Sequence, residues 1–230
     1  MIFSSIFFIL ILLLSLFIIV VISGFYSKAF ELARFNEKKR NIILLGIYWL
    51  FTFLLIGAIY LSINQDWQNV AFYKKLPAFY IPILFSIVII ASSKTLKTLT
   101  KEIPSEWLVA IQFYRIFGIT YVFLPNFVDK LPLVFAAYAT INNVFFGLTA
   151  PIMGRLVTNR KNYWLAILWN VTGIIGLGIT PILAYLLQAN AMEQFPLSLL
   201  FLYIEVPMGI LIHGLSLYNL LSKMNKKAKT

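Results

Sequence analysis

Seven stretches of this 230-residue chain run apolar for about 20 residues or more, and that recurrence restricts the fold more than any motif does. A bilayer's hydrocarbon core is about 30 Å thick, and a helix needs about 20 mostly apolar residues to cross it. The stretches fall at about 2–22, 42–62, 78–96, 105–125, 132–158, 162–187 and 199–222. They are continuously apolar, without the alternation that a lipid-facing barrel strand requires. The chain is 61% hydrophobic and 12% charged, with a mean hydropathy of +0.89. That is more apolar surface than one soluble core buries, and about half the usual share of charge. The expectation is an all-α, polytopic membrane bundle of seven transmembrane helices, forming a single transmembrane domain over 1–230.

Loop charge orients the bundle, because Lys and Arg collect on the cytoplasmic side. With seven spans, 15 basic residues fall on the first, third and fifth connections and the C-terminal tail, while Lys74, Lys75 and Lys130 lie on the other side. Losing or adding one span would invert every later assignment. The N-terminus is therefore predicted outside and the C-terminus inside. The net charge of +11 then faces the anionic inner leaflet and calls for no nucleic acid. No basic residue precedes the first apolar run and no small-residue cleavage site closes it, so it reads as a retained helix rather than a signal peptide. Segment 63–77 mixes Trp67, Phe72 and Tyr73 with polar groups and reads as an interfacial aromatic belt, in preference to a lid over an outward-facing pocket.

Several chemistries are excluded by residue type. Without cysteine there is no disulfide, iron–sulfur cluster or thiolate zinc site. One histidine and eight carboxylates, of which only Asp66 and Asp129 are aspartates, leave no two-metal site, and no metal or cofactor is expected. The run Gly173-Ile174-Ile175-Gly176-Leu177-Gly178 lies within a span, where glycines let helices approach closely rather than cradle phosphates. Asn170-Val171-Thr172 has the form of a glycosylation acceptor but sits within the same span. An opsin-like pigment needs a lysine midway along the last span, whose first lysine is Lys223 at the inner end. No nucleophile or metal set for a membrane-embedded enzyme can be assembled.

What remains is a layer of polar residues at one depth. At about 1.5 Å per residue, Arg115 lies about 15 Å into the fourth span, near the midplane. Asn142 and Asn143 reach the same level from the opposite side. Asn170 and His213 lie about 12 and 13 Å from the inner ends of their spans, Gln112 one turn below Arg115, and Glu205 about 6 Å above the midplane. An arginine there costs about 2.5–3.5 kcal/mol on insertion scales, so it is expected to face the interior and a partner. Glu205 is the one carboxylate at reachable depth, a bidentate match for the guanidinium, with the asparagines taking the remaining donors.

Three passages carry a resemblance. Trp107-Leu108-Val109-Ala110-Ile111-Gln112-Phe113-Tyr114-Arg115 is similar to a W-x-x-x-x-Q-x-[FY]-R element. Asn143 through Pro151 contains G-L-T-A-P, in a place where relatives often read D-I-L-V-G-L-T-A-P. Val206 through Leu217 is like V-P-x-x-x-x-x-H-x-x-S-L. Over about residues 100–222 the chain resembles a family of uncharacterised bacterial multi-pass membrane proteins, which implies the cytoplasmic (inner) membrane and brings no established activity. Asn143 departs from the aspartate expected there, and Glu205 is the candidate substitute for that charge.

The functional expectation is a transporter or small-molecule, anion-binding protein that uses Arg115, Glu205, Gln112, Asn142, Asn143, Asn170 and His213. The alternative is a non-catalytic structural or assembly subunit in which the same residues hold helices together. Expected partners are the lipid bilayer, a small anionic ligand, and a second copy or another membrane subunit.

Overall fold

The computed structural model describes residues 2–64, 66, 70–126, 131–158, 163–187 and 196–227, and every regular element among them is helical. The first helix, α1 (Ile2–Leu32), runs ten residues past its predicted end. Ser23 does not stop it, because its hydroxyl donates to the Ile19 carbonyl at 2.8 Å. An exposed Lys28–Glu31 pair at 2.7 Å lies one turn apart on the extension. The chain turns at Arg34, which takes a left-handed φ of 54°. Asn36 then caps α2 (Glu37–Ile63), its side chain accepting from the Lys38 amide at 2.9 Å. The polar connection expected at 23–41 thus contracts to residues 33–36: charged residues there mark a helix end, not a loop.

The third helix also departs from expectation, starting six residues early as α3 (Phe72–Ser92) and stopping at Ser93. Ser93 serves two helices: its amide donates to the Ile89 carbonyl at 3.1 Å, and its hydroxyl accepts from the Leu96 amide at 3.1 Å, capping α4 (Lys94–Glu102). α4 is one-sided, burying Leu99 and Thr100 while Lys94 stays exposed. Lys75, counted above as a loop lysine, lies on α3 and is buried. Of the expected aromatic belt, Tyr73 is exposed, whereas Trp67 and the Phe72 side chain lie outside the described residues.

The fourth apolar stretch begins as α5 (Ser105–Ala110) and continues as a 16-residue 3-10 helix, Ile111–Asn126. Runs of 3-10 helix beyond a few residues are uncommon. This one rises about 2.0 Å per residue, so it covers about 32 Å where an α-helix would cover about 24 Å. It lies hard against α6 (Leu133–Thr158). A Cβ at Gly147 would stand 2.5 Å from the Ile116 amide nitrogen and 2.9 Å from its Cα, so only glycine permits this backbone contact.

α7 (Tyr163–Leu186) and α8 (Pro196–Lys227) complete the bundle. Every residue from Val206 to His213 is buried, and α8 touches α1, α2, α3, α4, α5 and α7, which makes it the central helix. Among the described residues five helices are long and apolar enough to cross a membrane: α1 over Ser15–Leu32, α2 over Glu37–Leu61, α3 over Tyr73–Ser92, and α6 and α7 over their whole lengths. The exterior carries large apolar side chains such as Trp49, Phe53, Ile141 and Trp164, and the interior holds Gln112, Arg115, Asn143, Asn170 and His213. That arrangement suits a hydrocarbon surround, where polar groups must find partners inside the protein.

Candidate functional site

Arg115 is fully buried and stands at the centre of a hydrogen-bonded chain that crosses four helices. From the 3-10 helix its Nε donates to Asn143 Oδ1 of α6 at 2.7 Å. Its Nη1 lies 3.0 Å from Nε2 of His213 on α8. The other ring nitrogen, Nδ1, lies 2.9 Å from Asn170 Oδ1 of α7, and Asn170 Nδ2 donates to the Ala166 carbonyl at 2.7 Å. These bonds assign the imidazole. A guanidinium only donates, so Nε2 accepts, and Nδ1 carries the hydrogen that goes to the asparagine oxygen.

Aromatic rings enclose the chain. The guanidinium carbon of Arg115 lies 4.7 Å from the centre of the Phe146 ring, a cation–π contact worth about 2 kcal/mol when desolvated. The His213 ring meets Phe146 and Trp169 edge-on at 5.6 and 5.1 Å. Trp169 is tied by its Nε1, which donates to Thr149 Oγ1 of α6 at 2.9 Å. Glycines bring the helices close enough for these side chains to meet: a Cβ at Gly173 would overlap the His213 ring, and one at Gly118 would overlap Asn143.

The sequence-predicted residues divide into three groups. Arg115, Asn143, His213 and Asn170 form the bonded chain itself. Gln112 and Asn142 adjoin it without joining it: Gln112 Nε2 donates to the Gly209 carbonyl at 3.3 Å, and Asn142 packs on Gly176 of α7. Glu205 lies on α8, but its side chain falls outside the described residues, and with it the proposed Arg115–Glu205 pair. On the turns that flank the cluster, Gln112 Oε1, Thr140 Oγ1, Asn142 Nδ2 and Ser216 Oγ are buried and have no hydrogen-bond partner among the described residues. Buried polar atoms are ordinarily satisfied, so four on adjoining turns set this region apart from ordinary packing.

Sequence reasoning missed two features. Phe146 carried no signal beyond being an aromatic one turn from Asn143. The second is a polar node at the other end of α8, where Asn219 Nδ2 donates to the Thr100 carbonyl at 2.6 Å and the Ile103 carbonyl at 2.8 Å. Lys223 Nζ donates to the Ile103 carbonyl at 3.0 Å and to Ser105 Oγ at 2.9 Å, and Ser105 Oγ also donates to Asn219 Oδ1. Together they cap the end of α4 and the start of α5. The spacing His213, Ser216, Asn219, three residues apart each time, was the available clue to a polar stripe down α8. Asn219→Ala strands the Thr100 carbonyl and leaves that of Ile103 to Lys223 alone, and it is expected to cost about 1–3 kcal/mol, read as a lower melting temperature in detergent.

Comparison with the curated proteins and with the solved structures finds no match. A family model does match: Domain of unknown function (DUF8737), over residues 71–221. That range takes in α3 to α7, most of α8, and every residue of the Arg115 cluster; it covers more than half of the chain, and the chain belongs to the DUF8737 family.

Proposed function

We propose that this chain is a multi-pass protein of a bacterial cytoplasmic membrane, spanning it seven times with its C-terminus inside, and that the Arg115 cluster binds a small anion, as a transporter or binding protein does. The observation that carries the reading is the set of unpartnered polar atoms, on Gln112, Thr140, Asn142 and Ser216, around a fully buried guanidinium. Buried polar atoms on adjoining turns are where water or a polar ligand belongs. A permanent cation at that depth attracts anions strongly, because the surroundings screen it little. Orientation rests on the basic residues of alternate connections, and the span count on five qualifying helices plus the fourth and last apolar stretches.

A thermal-shift titration of the purified protein with chloride, acetate and phosphate tests the anion reading. An anion at about 100 times its dissociation constant is expected to stabilise the wild type by about 2.7 kcal/mol. Asn143→Asp is the decisive variant. Its carboxylate accepts the same Nε hydrogen bond while supplying the negative charge, so the response to anions is expected to disappear although the fold persists. An unchanged response in Asn143→Asp, or no response to any anion in the wild type, refutes the proposal.

A second reading, a structural or assembly subunit, draws on α2, where only 6% of Glu37–Leu61 is buried and Ile42, Leu45, Trp49, Phe53 and Ile56 are exposed. It expects co-purification of another membrane subunit or of a second copy in mild detergent, without any response to anions.

A further inference from the structure

Away from the Arg115 cluster, α1, α2, α3, α4 and α8 line a half-open cavity of about 340 Å³. Its walls are aliphatic and aromatic, with Ile43, Ile47 and Phe51 of α2, Ile89 of α3, and Leu211 and Leu215 of α8. Three hydroxyls reach it, and two are engaged: Tyr26 with Thr100 at 3.1 Å, and Ser93 as the acceptor that caps α4. A polar molecule finds almost nothing here to recognise, whereas an alkyl chain needs no partner. Its lining on α2 runs from Ile43 to Phe51, about 12 Å along that helix, a length that suits an alkyl chain.

One end of the cavity is lined by residues that have lysines beside them in the chain. Ser93 and Leu96 line it, and their neighbours Lys94 and Lys97 make no hydrogen bond or ion pair through their ammonium groups among the described residues. Arg40 lies one turn before Ile43 on α2, where it pairs with Glu37 at 3.1 Å. An apolar slot with lysines next to its lining residues suits an anionic amphiphile with the chain inside and the charge at the mouth. The cavity is half open to its surroundings, so a bilayer lipid can enter it.

We propose that this cavity takes one acyl chain of an anionic phospholipid, whose headgroup phosphate lies against Lys94 and Lys97. The site is independent of the anion site proposed above: it uses Leu211 and Leu215 of α8, not His213, and its α1 and α2 walls lie outside the family-matched residues 71–221.

Gly46 gives a clean test, because it lines the cavity and a Cβ there meets nothing within 4 Å. Gly46→Phe therefore fills the slot from a position that accepts a side chain, and Gly46→Leu fills part of it. The experiment measures the melting temperature of the full chain in detergent with phosphatidylglycerol, phosphatidylcholine of the same chains, or oleate. The wild type is expected to gain at least a few degrees more from phosphatidylglycerol than from the other two. Gly46→Phe is expected to lose that gain, Gly46→Leu to lose part of it, and Lys94→Gln/Lys97→Gln to respond equally to the two phospholipids. Equal wild-type shifts from both phospholipids would overturn the headgroup assignment. A full gain retained in both Gly46 variants would overturn the cavity, and a gain from oleate as large as that from phosphatidylglycerol would overturn the choice of a phospholipid.

Discussion

Gly147→Ala is expected to destabilise the protein by about 3 kcal/mol, at the upper end of overpacking costs. The added methyl points into backbone, with the Ile116 nitrogen at 2.5 Å, its Cα at 2.9 Å and the Arg115 carbonyl carbon at 3.0 Å. Side chains can swing away from a new methyl, but main-chain atoms move only if the whole helix moves. The 3-10 helix must then separate from α6, and Arg115 is carried away from Asn143 by the same displacement. Gly178→Ala is the matched control, since a Cβ there meets nothing within 4 Å. It is expected to be neutral or to stabilise, because alanine outranks glycine in a helix by about 1 kcal/mol. Thermal unfolding of both variants in one detergent checks the contrast. Equal melting temperatures would mean that the two backbones are not in contact at Gly147.

His213→Phe is the second large effect, expected to cost about 3 kcal/mol. Phenylalanine keeps a ring against Phe146 and Trp169, so the loss isolates the two hydrogen bonds rather than the packing. Arg115 Nη1 loses its acceptor in His213, a bond to a charged group worth about 1.5–3 kcal/mol, and Asn170 Oδ1 loses its donor. Asn170→Leu alone strands the Nδ1 hydrogen of His213. Combined with His213→Phe it leaves neither group stranded, so the double variant is expected to lose about 1 kcal/mol less than the sum of the single losses. Strict additivity would exclude the His213–Asn170 bond. Thermal melts of the wild type, both single variants and the double variant complete this cycle.

The residues of the cluster were legible before their contacts were. Burying a polar side chain in hydrocarbon is costly enough that Gln112, Arg115, Asn143, Asn170 and His213 had to face inward, and counting residues along each span put them at one height. Height is not azimuth. Asn142 and Asn143 share a depth but point about 100° apart on α6, and nothing local says which meets Arg115; the close contacts at Gly147 and Gly118 select Asn143. The same limit hid Phe146, which matters only because α6 turns that face to the guanidinium.

Helix ends followed a related rule. The predicted spans at 132–158 and 162–187 agree within about a residue with α6 and α7, since apolar runs and helices stop together there. For α1 the predicted apolar run stops first and the helix continues to Leu32, because polar side chains interrupt an apolar run without ending backbone hydrogen bonding. Composition and spacing thus determined by themselves that the chain is helical, that its outer face is apolar, and that Gln112, Arg115, Asn143, Asn170 and His213 lie inside. Tertiary packing alone decided the 3-10 form of Ile111–Asn126, the choice of Asn143 and His213 around Arg115, and the cavity beside α2. Each of these depends on how closely two backbones approach and at what rotation, and a single chain's hydrophobic period does not encode those quantities.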